Sequence, residues 1–101
     1  MDVRKHVRDT LDMHRTELRQ RGVKRLSIFG SVARGDMVAD SDLDFACLPL
    51  HPLAFGMTDA GHLREWLEDL FGKSVYLVVE PSKRRSRLQE QIDKYRYVAF
   101  E

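Results

Sequence analysis

A chain of 101 residues has room for one hydrophobic core and reads as a single domain. Its 43% apolar and 33% charged residues mark a globular chain rather than a disordered one, and a formal net charge of +1 excludes overall charge as a means of holding nucleic acid or an anionic membrane. The one cysteine, Cys47, can make neither an internal disulfide nor a cysteine-based zinc site, so a buried, inert thiol in a reducing cytoplasm is expected.

The opening MDVRKHVRDT is charged and lacks a signal-peptide core. No apolar run is long enough to span a bilayer, so no membrane role is expected. Asp2 to Arg21 are expected as one helix, with Val3, Val7, Leu11 and Leu18 at helical spacing and Gly22 as its stop. His14 falls on the same stripe. No second ligand stands at metal-site spacing from it, which favours a packed histidine. Lys24 to Phe29 form a short strand that Gly30 breaks. Ser31 can cap a short helix through Val32 and Ala33, and Gly35 to Ser41 form a polar connection.

Leu43 to Leu48 form a second strand, ended by Pro49 and Pro52. After an irregular loop, Thr58 or Asp59 is expected to cap a third helix. Its stripe of Leu63, Trp66, Leu67, Leu70 and Phe71 makes Trp66 a core residue, and Gly72 ends it. Ser74 to Val79 form a third strand. Pro81 and Ser82 start a last helix with Leu88, Ile92 and Tyr95 inward, and Tyr97 to Phe100 add a short terminal strand. The alternation predicts an α/β (α+β) fold, a small mixed sheet with helices packed on it.

Asp42 and Asp44 are the chemically suggestive pair. Residues two apart on a strand share a face, and two carboxylates so close repel unless a cation lies between them. Oxygen donors suit Mg²⁺ or Mn²⁺, and Mg²⁺ favours one or two carboxylates plus substrate phosphates. Taken alone, Ser41-Asp42-Leu43-Asp44 reads as a solvated turn before a strand. The turn upstream changes that. Gly30 lets backbone approach a phosphate, the following helix start attracts one, and the Ser31 hydroxyl can donate to it. A phosphate cradle beside a cation seat is the minimum equipment for nucleotidyl transfer from a nucleoside triphosphate.

The pattern Gly30-Ser31-Val32-Ala33-Arg34-Gly35 followed by Ser41-Asp42-Leu43-Asp44 resembles the signature of the polymerase-beta-like nucleotidyltransferase superfamily. Its compact form is similar to the minimal nucleotidyltransferases (MNT), antitoxins of HEPN/MNT toxin–antitoxin pairs. The resemblance spans nearly the whole chain. It implies that Gly30 and Ser31 hold the triphosphate of ATP and that Asp42 and Asp44 are catalytic and bind metal. Arg34 either contacts a phosphate or braces the loop through Asp36 or Asp40. It also implies transfer of AMP to a tyrosine of a HEPN ribonuclease toxin. Direct nucleic-acid binding is the less favoured use.

Such proteins carry a third carboxylate on the later strand, in a stretch like VDLV. Here Val75-Tyr76-Leu77-Val78 places Tyr76 at that position, which implies a weakened site or an antitoxin that acts by binding alone. Glu80 shares the face of Tyr76 but lies about 13 Å further along the strand, too far to substitute. The run Lys83, Arg84, Arg85 and Arg87 puts cations at a helix N-terminus, where the dipole disfavours them. Either solvent or an anionic partner offsets that cost.

Overall fold

The computed structural model describes residues 3–30, 42–80 and 86–101. The first helical segment is two helices, not one: α1 (Val3–Met13) and α2 (Arg15–Gln20). The break falls at His14, whose N–H turns back to the carbonyl of Leu11 at 3.0 Å while its own carbonyl accepts from Leu18. The His14 ring meets Trp66 edge to face, with centroids 5.6 Å apart. The apolar stripe survives the break, because Val7, Leu11 and Leu18 are all buried.

Four strands follow: β1 (Val23–Phe29), β2 (Leu43–Pro49), β3 (Val75–Val79) and β4 (Tyr97–Phe100). Their order in the sheet is β3-β2-β1-β4. β1 is antiparallel to both β2 and β4, whereas β2 and β3 run parallel. A parallel pair needs a long crossover. That crossover contains α3 (Met57–Phe71), which Gly72 ends in a left-handed conformation at φ +65°. The N-cap of α3 is Gly56, earlier than expected, and its N–H donates to Asp59 at 2.9 Å. Asp59 thus supports the first turn from inside it. α4 (Ser86–Tyr95) precedes β4, and the expected start at Pro81 and Ser82 lies outside the described residues.

Strand alternation sorts the side chains onto two faces. Leu26, Ile28, Leu43, Phe45, Cys47 and Val75 pack with Leu11, Leu18, Leu63 and Leu67 from the first three helices. Each such burial is worth about 1.5–3 kcal/mol. Phe29, Ala46 and Val78 face the other way, against Ile92 and Leu88 of α4. Trp66 is half-buried against the larger core, with the Arg21 guanidinium 5.1 Å over its ring. Trp66 and His14 therefore serve packing. Among the described residues, α4 packs on the second face, which also carries Asp44 and Tyr76.

Candidate active site

The register of three strands builds the site. Phe29, the last residue of β1, pairs with Asp44 on β2, and Asp44 pairs with Tyr76 on β3. The three side chains form one row across the sheet, on the face shared with Ala46 and Val78. Gly30 immediately follows Phe29 and has φ +74°. A left-handed φ favours glycine, and packing demands it independently. A Cβ on Gly30 would run into the Asp44 carboxylate, with Cγ only 3.2 Å away.

Asp42 stands exposed, one residue before β2, and Asp44 is half-buried on the strand itself. Ser31 and Arg34 lie outside the described residues, as do the short helix through Val32 and Ala33 and the polar connection to Ser41. Gly30, Asp44 and Tyr76 are thus brought together at one end of three adjacent strands, with Asp42 beside them in sequence. The donor set suits a hard cation that draws its remaining oxygens from phosphate. Among the described residues, no group of three or more His, Cys, Asp or Glu side chains could enclose a metal alone.

Tyr76 is 43% exposed, and its ring meets Phe29 edge to face at 6.4 Å. Glu80 is committed elsewhere. It is buried at the end of β3, where Arg96 grips both its oxygens: Nη1 donates to Oε2 at 2.9 Å and Nη2 donates to Oε1. Gln89 donates to Glu80 Oε1 at 3.0 Å, and Arg25 approaches Oε2 at 3.5 Å. Burial by itself would raise the Glu80 pKa. The hydrogen bonds from Arg96 and Gln89 and the charges of Arg96 and Arg25 outweigh it, so the carboxyl lies below the usual glutamate range. Arg96 also donates to Ser27 at 3.1 Å and to Asp93 at 2.8 Å.

This clamp ties the end of β3, the residue after α4 and β1 together. Sequence reasoning had no signal for it beyond an acidic residue ending an apolar strand. Cys47 lies in the core on the opposite face. Burial, then the charge of Glu80, pushes its thiol up to about 12, so it stays protonated and inert. Of the basic run, Arg87 is exposed near the start of α4, and Lys83, Arg84 and Arg85 lie outside the described residues. No helix among the described residues is long and apolar enough to cross a membrane.

Residues 11–98 match the nucleotidyltransferase domain family. The protein adenylyltransferase MntA of Thermococcus cleftensis is 36% identical over 81 residues, 75% of this chain and 76% of that protein. A solved structure described as a minimal nucleotidyltransferase superposes with a TM-score of 0.71 at 31% identity, covering 96% of this chain and 95% of its own. A tri-AMPylated HEPN toxin from Shewanella oneidensis in complex with its MNT antitoxin offers a chain with the same fold. That match has a TM-score of 0.66 at 18% identity and covers 93% of this chain and 71% of that one. The chain described here belongs to the nucleotidyltransferase domain family, within its minimal nucleotidyltransferase branch.

Proposed function

We propose that this chain transfers AMP from ATP to a tyrosine of a HEPN-type ribonuclease toxin and thereby acts as its antitoxin, in the cytoplasm. The observation that carries the proposal is the contact between the Gly30 backbone and the Asp44 carboxylate at the paired ends of β1 and β2. It sets a left-handed glycine turn directly against an acidic side chain. The adenylyltransferase relative and the AMPylated toxin complex support the same chemistry and the same kind of partner.

In this proposal Asp42 and Asp44 hold Mg²⁺ or Mn²⁺ together with the triphosphate oxygens. The cation, when bound, neutralises charge on the phosphates and polarises the phosphorus under attack. Gly30 keeps side-chain bulk out of the phosphate path, and Ser31 donates to a phosphate oxygen. Arg34 contacts a phosphate or braces its loop. In this proposal the partner's own surface completes the site.

Tyr76 favours a second reading. A phenol beside Asp44 brings neither the negative charge nor the basicity of a third carboxylate, and Glu80 is held by Arg96. Turnover is then slow, or the antitoxin works by contact alone. Labelled ATP, Mg²⁺ and the folded partner toxin distinguish the two. The transferase reading expects label on the toxin that disappears with Asp44→Asn. Neutralisation that persists without any label establishes the contact mechanism instead.

A further inference from the structure

We infer that Tyr76 is an internal acceptor: the chain can adenylylate its own Tyr76, the strand neighbour of Asp44 in the proposed cation seat. The inference rests on the transferase proposal and adds a covalent modification site to it. Tyr76 is the register partner of Asp44 on the adjacent parallel strand. Such strands lie about 4.8 Å apart, and paired side chains point to the same face. A tyrosine hydroxyl reaches further from the backbone than an aspartate carboxylate, so the phenol is long enough to extend past Asp44. The ring is steadied by its edge-to-face contact with Phe29, and the residue remains 43% exposed.

The chemistry matches as well as the position. The acceptor in the proposed reaction is a phenol, and Tyr76 supplies a phenol on the site's own sheet. The Tyr76 oxygen would bond to the α-phosphorus of ATP. The bond from that phosphorus to the bridging oxygen of the β-phosphate would break, pyrophosphate would leave with the electron pair, and the phenolic proton would pass to water. No oxidant or further reactant is needed. Holding the nucleophile on the same sheet as the nucleotide site removes the cost of bringing an acceptor from solution. The adenylyl group would then occupy the space above Asp44 and close the site to another acceptor. Modification is therefore self-limiting at one group per chain.

The test uses the full chain alone with ATP and Mg²⁺, followed by intact-mass and peptide mass spectrometry. The expected result is up to one adenylyl group per chain, located on Tyr76, formed at a rate that does not change over a tenfold range of chain concentration. Tyr76→Phe, which keeps the ring against Phe29, and Asp44→Asn should each abolish it. A second measurement needs no turnover. With the α,β-methylene analogue of ATP and Mg²⁺, the ring resonances of Tyr76 should shift while those of Tyr95 and Tyr97 stay in place. A chain that labels its partner toxin but leaves Tyr76 bare, or carries the group on another residue, overturns the inference and leaves the transferase proposal standing. Absence of both Mg²⁺-dependent ATP binding and partner labelling overturns the transferase proposal, and this inference with it.

Discussion

The Asp44 carboxylate lies where a side chain on Gly30 would begin. Two independent restraints therefore hold residue 30 as glycine, a left-handed φ of +74° and the lack of space beside Asp44. Gly30→Ala is expected to cost about 1–2 kcal/mol from the backbone conformation alone. It should also displace the carboxylate and weaken Mg²⁺-dependent ATP binding. Urea unfolding and titration calorimetry measure the two effects separately, and unchanged ATP affinity would separate Gly30 from the nucleotide.

Asp44→Asn removes one charge from the proposed cation seat. A bound metal supplies several kcal/mol of transition-state stabilisation, and at about 1.4 kcal/mol per tenfold this is roughly a thousandfold in rate. Transfer of AMP to the partner should fall by about that factor, with the far-ultraviolet circular dichroism unchanged. A loss of less than tenfold would place the metal on other residues.

Tyr76→Asp should act in the opposite direction. General acid–base groups typically contribute about 100–10,000-fold, and a carboxylate paired with Asp44 would restore both a metal ligand and a base. Transfer to the partner toxin should rise by at least about 100-fold in single-turnover assays. An unchanged rate would mean that the third position is not what limits this site.

The buried Glu80 carboxylate makes stability depend on pH in a definite direction. Its folded pKa is lowered, because hydrogen bonds and charge from Arg96 outweigh burial. The stabilisation is fully present above the ordinary glutamate range and is lost as pH falls through the lowered folded value. Asp93, lowered chiefly by its hydrogen bond from Arg96, acts in the same sense. Glu80→Gln leaves Arg96 and Arg25 facing an uncharged amide. It should cost about 3 kcal/mol near neutral pH and flatten the acid limb of a melting-temperature profile. An acid limb equal to that of the parent chain would assign the titration to other carboxylates.

Cys47 should be silent toward a water-soluble thiol reagent at pH 8. It is buried, and its thiol is pushed up to about 12, so both access and thiolate are lacking. Reaction should appear only in urea and follow the unfolding curve. Rapid labelling of the native chain would contradict the packing of Phe45 and Leu26 around that strand.

Much of the architecture was legible because it is written in local periodicity. Leu63, Leu67 and Gly72 marked α3 and its end, and the alternation around Phe45 placed β2 within one residue. The break at His14 was not legible, since Val7, Leu11 and Leu18 keep helical spacing straight through it. The turn there goes with a contact to Trp66 on a distant helix. Spacing pointed to Asp44 and Gly30 separately, but their contact depends on the register of β1 with β2. The grip of Arg96 on Glu80 was invisible for a related reason. A buried acidic residue declares itself only when its partner is seen in space.

The position of β4 also bears on how quickly the chain can fold. Its neighbour in the sheet is β1, and the bond from Arg96 to Ser27 joins residues 69 apart in sequence. Closure of so long a loop must be met before its contacts give any return, which slows the search for the native state. Refolding should therefore be governed by the docking of β4, in milliseconds to seconds rather than microseconds. Removing the Arg96 side chain should retard that step if the clamp forms in the folding nucleus, and otherwise hasten unfolding.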